Sequence, residues 1–139
     1  MKNEDIISFV SATDILEMHD MIIQQLGGCS GVYNEGLLES AANQPLMILS
    51  YGRIEEQEIT YLAATYFFHI IKNHPFVDGN KRTGLLTALK FLAKNGYEIE
   101  VSDETVYDDL YQLTIDTATS KKSKEEIAAF FKALIKGKQ

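Results

Sequence analysis

The chain has 139 residues, 45% hydrophobic and 24% charged, which supports one cored domain over 1–139 and excludes both disorder and a second independent domain. A balance of 13 basic against 20 acidic residues leaves a net charge of −7. That sign opposes direct nucleic-acid binding and points any local cluster of cations toward a small anionic ligand. The only cysteine, Cys29, excludes an internal disulfide and a thiolate metal site.

Glu4 and Asp5 precede a short apolar run, Ile6 to Val10, too short and too acidic for a signal peptide. No apolar run approaches the roughly 20 residues needed to span a bilayer, so a cytoplasmic chain without membrane contact is expected. Thr13 to Leu26 reads as an amphipathic helix, with Ile15, Met18, Ile22 and Leu26 at helical spacing. Gly27-Gly28 stops it, and a loop of small residues, Cys29-Ser30-Gly31, follows. Asn34 is the expected N-cap of a short helix through Gln44, with Leu37, Leu38, Ala41 and Ala42 as its apolar positions and Pro45 as its end.

From Leu46 through Met47, Ile48, Leu49, Ser50 and Tyr51 to Ile54 there is neither a clean helical nor a clean strand period. The Tyr51-Gly52 turn signal predicts a loose hairpin or irregular flap, or else a plain connecting loop. Glu58 to Asn73 is apolar nearly all round (Ile59, Leu62, Ala63, Tyr66, Phe67, Ile70, Ile71), the pattern of a helix at the centre of a bundle. A further helix runs to Asn95 with Gly96 as its stop; Leu85, Leu89 and Leu92 should face inward, and Gly84 should let another backbone come close.

Tyr97 to Val101 predicts an extended link or short strand, and Ser102, Asp103 and Glu104 start another helix with acids at its favourable end. Ser123-Lys124-Glu125-Glu126 has capping-box spacing. Ile127, Phe130, Phe131 and Leu134 mark the last helix, with Lys132, Lys136 and Lys138 toward its C-terminus. The expected fold is an all-α bundle of about six helices, with a short flap or hairpin before the central helix.

Between that most hydrophobic helix and the helix running to Asn95 lies His74-Pro75-Phe76-Val77-Asp78-Gly79-Asn80-Lys81-Arg82. Taken singly, each residue has a bland explanation. A histidine before a helix usually caps it or sits satisfied in the core, a lone aspartate usually makes a turn or an N-cap, and Lys81 and Arg82 alone would be solvated surface charges. Phe76 is a core anchor of the loop on either reading. The combination is rarer than its members. A base, a carboxylate and cations at a helix start, where free N–H groups and the positive end of the macrodipole favour anions, suit phosphate transfer.

If a nucleoside triphosphate docks there, backbone N–H groups near Gly79, Asn80 and Lys81 would cradle a phosphate. Asp78 would hold a divalent cation, most suitably Mg²⁺. Lys81 and Arg82 would offset phosphate charge, and His74 would act as general base on an incoming hydroxyl. The chain has neither a Walker A loop nor the protein-kinase signatures.

This stretch resembles the Fic/Doc signature, H-x-F-x-[D/E]-G-N-G-R-x-x-R, and is closer to the death-on-curing (Doc) branch. Gly27-Gly28-x-x-Gly31, Leu37 to Ala41, Ala63-Ala64 and Phe91 to Tyr97 share that likeness, which covers nearly the whole chain. Typical Fic enzymes transfer AMP to a Ser, Thr or Tyr hydroxyl; they carry glycine where this chain has Lys81 and a second arginine where it has Leu85. The Doc branch carries the lysine and transfers the γ-phosphate from a reversed nucleotide. Gly79 departs from the alanine of the Doc prototype and matches the AMP-transferring type.

The resemblance therefore implies a toxin of a type II toxin–antitoxin module. Its co-substrates would be ATP and Mg²⁺, its target a Ser/Thr hydroxyl in the translation machinery with elongation factor Tu foremost. AMP transfer is the runner-up, and a catalytically silent binding protein the third reading. The inhibitory signature [S/T]-x-x-x-[A/P]-E-[G/N] of many Fic proteins has no match, so a separate antitoxin laying a helix in a groove is implied. The segment Leu46 to Ile54 is where family analogy would dock the target.

Overall fold

Ser11 and Asp14 close a capping box, Asp14 N donating to Ser11 Oγ (3.1 Å) and Ser11 N to Asp14 Oδ2 (3.2 Å), and so start helix α1, Ala12–Leu26. The computed structural model describes residues 6–101 and 103–138, so Glu4, Asp5 and the expected helix start at Ser102 lie outside the described residues. Ile15, Met18 and Ile22 are buried as their spacing predicts, and His19 joins them, whereas Leu26 is exposed. The apolar run before α1 is held from both sides. Tyr66 Oη accepts from Val10 N (2.9 Å) and donates to Val10 O (3.0 Å), and burial pushes that phenol up to about 12.

Asn34 caps α2, Glu35–Tyr51, through a 3.0 Å bond from Leu37 N to its Oδ1. The expected stop at Pro45 is wrong: the proline lies inside the helix. An interior proline forfeits one backbone bond and costs about 3 kcal/mol. Here Leu38, Ala41, Ala42 and Pro45 form a continuous buried stripe at i, i+3, i+4 and i+7, and α2 packs on the central helix. Burial of that stripe outweighs the lost bond. Leu46 to Tyr51 are therefore the last helical turns and not a hairpin or flap. Gly52 ends them, and a 3₁₀ turn, Ile54–Gln57, leads on.

Helix α3, Ile59–Asn73, is the central element, packed against α2 and the helices that follow it. Helix α4, Asn80–Lys94, crosses it closely at Gly84, where a Cβ would lie 2.9 Å from Ile71 Cγ1 and 3.3 Å from Phe67 O. The expected role of Gly84 holds, since any side chain would force the two helices apart. Leu85 and Leu92 are buried, Leu89 partly so, and Gly96 takes the positive φ (88°) of a helix stop.

Strand β1, Tyr97–Ile99, pairs antiparallel with β2, Ile135–Lys138. Between them lie α5, Glu104–Ala118, capped by Asp103, and α6, Lys124–Leu134, opened by the expected Ser123/Glu126 box. Lys136 and Lys138 thus belong to a strand and not to the last helix, because pairing with β1 satisfies backbone groups that a frayed helix end would leave open. Six helices and one short ribbon among the described residues give the expected all-α fold.

His69 on α3 is half-buried; its Nε2 is enclosed without a hydrogen-bond partner, and burial pushes the imidazole down from 6.5 to about 4. Between those values the unfolded chain binds the proton and the folded chain does not. Stability is therefore fully present above pH 6.5 and falls as pH drops toward 4. With allowance for its partial exposure the loss is about 1–2 kcal/mol. Replacing His69 with Gln should flatten the fall in melting temperature between pH 7 and 5; parallel curves for the two proteins would remove this assignment.

Candidate active site at the start of α4

His74 closes α3 as its C-cap in the left-handed conformation (φ 53°, ψ 55°), its N–H bonding Ile70 O at 3.2 Å. A non-glycine residue there is mildly strained, and such strain persists where surrounding structure imposes it. That structure is a short zipper to the segment after α1. Pro75 O accepts from Tyr33 N (2.7 Å) and Asn34 N (3.1 Å), Val77 N donates to Gly31 O (3.1 Å), and Val32 bridges Phe76. Phe76 is fully buried, as an anchor should be. Asn80 clasps it from the other side: its Oδ1 accepts from Phe76 N (3.0 Å) and its Nδ2 donates to Phe76 O (2.9 Å). The Asn80 side chain is thereby tied to the loop through its amide oxygen and one of its two amide N–H donors.

Asp78 is exposed, yet both of its carboxylate oxygens are engaged. Oδ2 accepts from Cys29 N (3.2 Å) and Oδ1 from Gly79 N (2.9 Å). These bonds, from Cys29 first and Gly79 second, hold its carboxyl below the usual carboxylate range, so it is ionised at neutral pH. Gly28 is required beneath it: at φ +115° its missing Cβ would sit 2.7 Å from Asp78 Oδ2. On the far side His19 Nε2 lies 2.7 Å from Asp78 O, and its ring stacks on Phe76 at 3.8 Å and 6°.

Gly79, in the left-handed region (φ 81°), is the N-cap of α4, and no side chain caps that helix. The N–H groups of its first turn, Asn80 to Arg82, therefore precede the first intrahelical bond, from Thr83 N to Gly79 O. His74, Asp78, Gly79, Asn80, Lys81 and Arg82 line one cleft of ≈ 140 Å³ together with Ile71, Tyr111 and Ala118. The fold thus brings these six residues to one cleft, and the buried Phe76 lies beneath their loop. Leu46 to Tyr51 are not among the lining residues. A wider hollow of ≈ 530 Å³ near Tyr61, Phe68 and Lys124 contains none of the motif.

Sequence reasoning missed four contributors. His19, Gly28 and Cys29 reach the site only through folding. Tyr111, stacked on Tyr107 (6.4 Å, 14°), had a local signal in the i, i+4 tyrosine pair on α5. Chemically the cleft combines an imidazole, an ionised carboxylate, free helix-start N–H groups and two cations. Asp78 is a hard oxygen donor that suits Mg²⁺. Among the described residues no group of three or more His, Cys, Asp or Glu could hold a metal ion. One carboxylate with the remaining ligands supplied by phosphate oxygens and water is the arrangement Mg²⁺ accepts.

The Fic/DOC family model matches residues 9–92. The chain is 31% identical over 119 residues to "Protein kinase doc" of Escherichia phage P1, covering 86% of this chain and 89% of the phage protein. It is 30% identical over 120 residues to "Toxin Doc" of Mycolicibacterium smegmatis, covering 84% of this chain and 90% of that relative.

Proposed function

The chain belongs to the Fic/DOC family, and we propose that it is a Doc-like toxin that transfers the γ-phosphate of ATP to a Ser/Thr hydroxyl of a translation factor, elongation factor Tu foremost. The names of the two relatives, a protein kinase and a toxin, support that reading. The observation that carries it is on α4. Lys81 lines the cleft where the AMP-transferring pattern has glycine, and Leu85, one turn on, is 3% exposed and packed in the core. No second arginine is available from that position to clamp terminal phosphates.

His74 takes the proton from the incoming hydroxyl, standing at the cleft on a backbone that the Pro75–Val77 zipper keeps still. The N–H groups of Asn80, Lys81 and Arg82 hold a phosphate, and the Lys81 and Arg82 side chains offset charge as it moves toward the acceptor. Asp78 would hold Mg²⁺, which when bound neutralises phosphate charge. AMP transfer is the second reading, favoured by Gly79, the residue of the AMP-transferring signature. Restraint by a separate antitoxin helix fits the missing inhibitory signature. The exposed apolar end of α2 and the turn after it (Met47, Tyr51, Ile54) serve to dock the target. No helix among the described residues is long and apolar enough to cross a membrane, and a cytoplasmic site of action fits the target class.

The test is ATP labelled at the α or γ position, scored on elongation factor Tu. Wild-type protein should pass the γ label only, and transfer of the α label alone would overturn the kinase reading. Lys81→Gly should weaken γ transfer by about 10–100-fold, the worth of a charge-assisted bond of roughly 1.5–3 kcal/mol. Restoring the arginine at Leu85 is a poor companion change, since the charge would enter the core beside Gly84.

A further inference from the structure

We propose that His19 is a positioning residue: it locks the Asp78–Gly79 peptide plane and so aims both the Asp78 carboxylate and the first N–H groups of α4. Asp78 O can only accept a hydrogen bond, so the contact at 2.7 Å fixes the proton on His19 Nε2. The other ring nitrogen, Nδ1, is buried without a hydrogen-bond partner. Asp20 Oδ1 lies 3.9 Å from it. An apolar side chain would fill this fully buried site without enclosing an unpartnered polar atom. What the imidazole adds is one directed bond to the backbone of Asp78.

The geometry shows what that bond controls. The same peptide unit is held at both ends, its carbonyl by His19 Nε2 and its N–H, that of Gly79, by Asp78 Oδ1 at 2.9 Å. The parallel stack on Phe76, itself clasped by Asn80, keeps the imidazole in the plane that meets the carbonyl. His19 also floors Gly79 directly, since a Cβ there would be 3.6 Å from its Cδ2 and Nε2. Rotation of the peptide would carry the Asp78 carboxylate away from Cys29 N and move Gly79 from the left-handed conformation that starts α4. One histidine 59 positions away thus sets the phase between carboxylate and anion cradle.

Glutamine and asparagine separate this role from simple packing. In His19→Gln the side-chain amide nitrogen reaches the position of imidazole Nε2; in His19→Asn the amide, one methylene shorter, does not. The first measurement uses protein free of metal and nucleotide and reads amide hydrogen exchange at Gly79. His19→Gln should stay within about 3-fold of wild type, while His19→Asn should exchange at least about tenfold faster. Calorimetry with Mg²⁺ and ATP should show affinity falling about 10–100-fold in His19→Asn and little in His19→Gln, the usual range when an outer partner of a ligand is lost. If His19→Asn does not fold, His19→Leu replaces it as the variant without a donor. Equal behaviour of the Gln variant and the donor-less variant in exchange and affinity, whether both intact or both impaired, would overturn the proposal. The assignment of phosphoryl transfer enters only through the labelled-ATP assay, so failure there leaves the exchange and affinity comparisons standing.

Discussion

Replacement of His74 by Ala lowers transfer by about 10²–10⁴-fold, the usual contribution of a general base, while ATP affinity stays close to wild type. His74 is exposed at the cleft, and the anion-holding groups belong to the next element, α4. Its backbone complicates the experiment, because alanine tolerates φ 53° poorly and that strain belongs to stability and not to chemistry. His74→Asn resolves the two. Asparagine accepts the left-handed conformation readily and keeps a polar side chain, but it cannot take a proton near neutral pH. Both variants should fold, bind ATP and fail to modify the target. Turnover near wild type in His74→Asn would remove the base assignment altogether.

Asp78→Asn should raise the Mg²⁺ concentration needed for half-maximal transfer by about 10–100-fold or more, since a neutral amide is a poor ligand for a hard dication. The geometry adds a second reason. Asp78 accepts from Cys29 N on one oxygen and from Gly79 N on the other. An asparagine has one acceptor oxygen, and its NH₂ group would face a donor. One arm of the contact between the two loops is therefore lost together with the charge. Because Gly79 and not Asp78 caps α4, the substitution is not the harmless exchange expected of an N-cap aspartate. A Mg²⁺ titration of label transfer, read beside the melting temperature, decides it. An unchanged Mg²⁺ requirement in the folded variant would show that Asp78 serves the loop alone.

Much of the architecture was legible because its signals are local. The caps at Asn34 and Ser123, the all-round apolar pattern of α3 and the Gly96 stop depend on residues within a turn or two, and each is where the sequence puts it. Gly84 was also readable, as a small residue beside an inward leucine face. Pro45 misled for an instructive reason. The rule that proline ends a helix is a backbone preference, whereas the stripe from Leu38 to Pro45 is a packing pattern, and packing prevailed. The C-terminal lysines were read as helical because the strand they enter exists only through its partner, Tyr97–Ile99.

The site divides along the same line. By itself the sequence determined that an imidazole, a carboxylate, a glycine and two cations stand at a helix start, because nine consecutive residues carry them. The tertiary structure alone decided that the Asp78 carboxylate is held by Cys29 N, that Gly28 leaves it room and that His19 holds its carbonyl. It also fastened the Asn80 side chain to the backbone of Phe76. Those contacts join positions 49 and 59 residues apart. No periodicity or cap reports them, since closing such loops is driven by burial of α1, α3 and α4 in one core, and the polar contacts follow from where that packing brings the backbone.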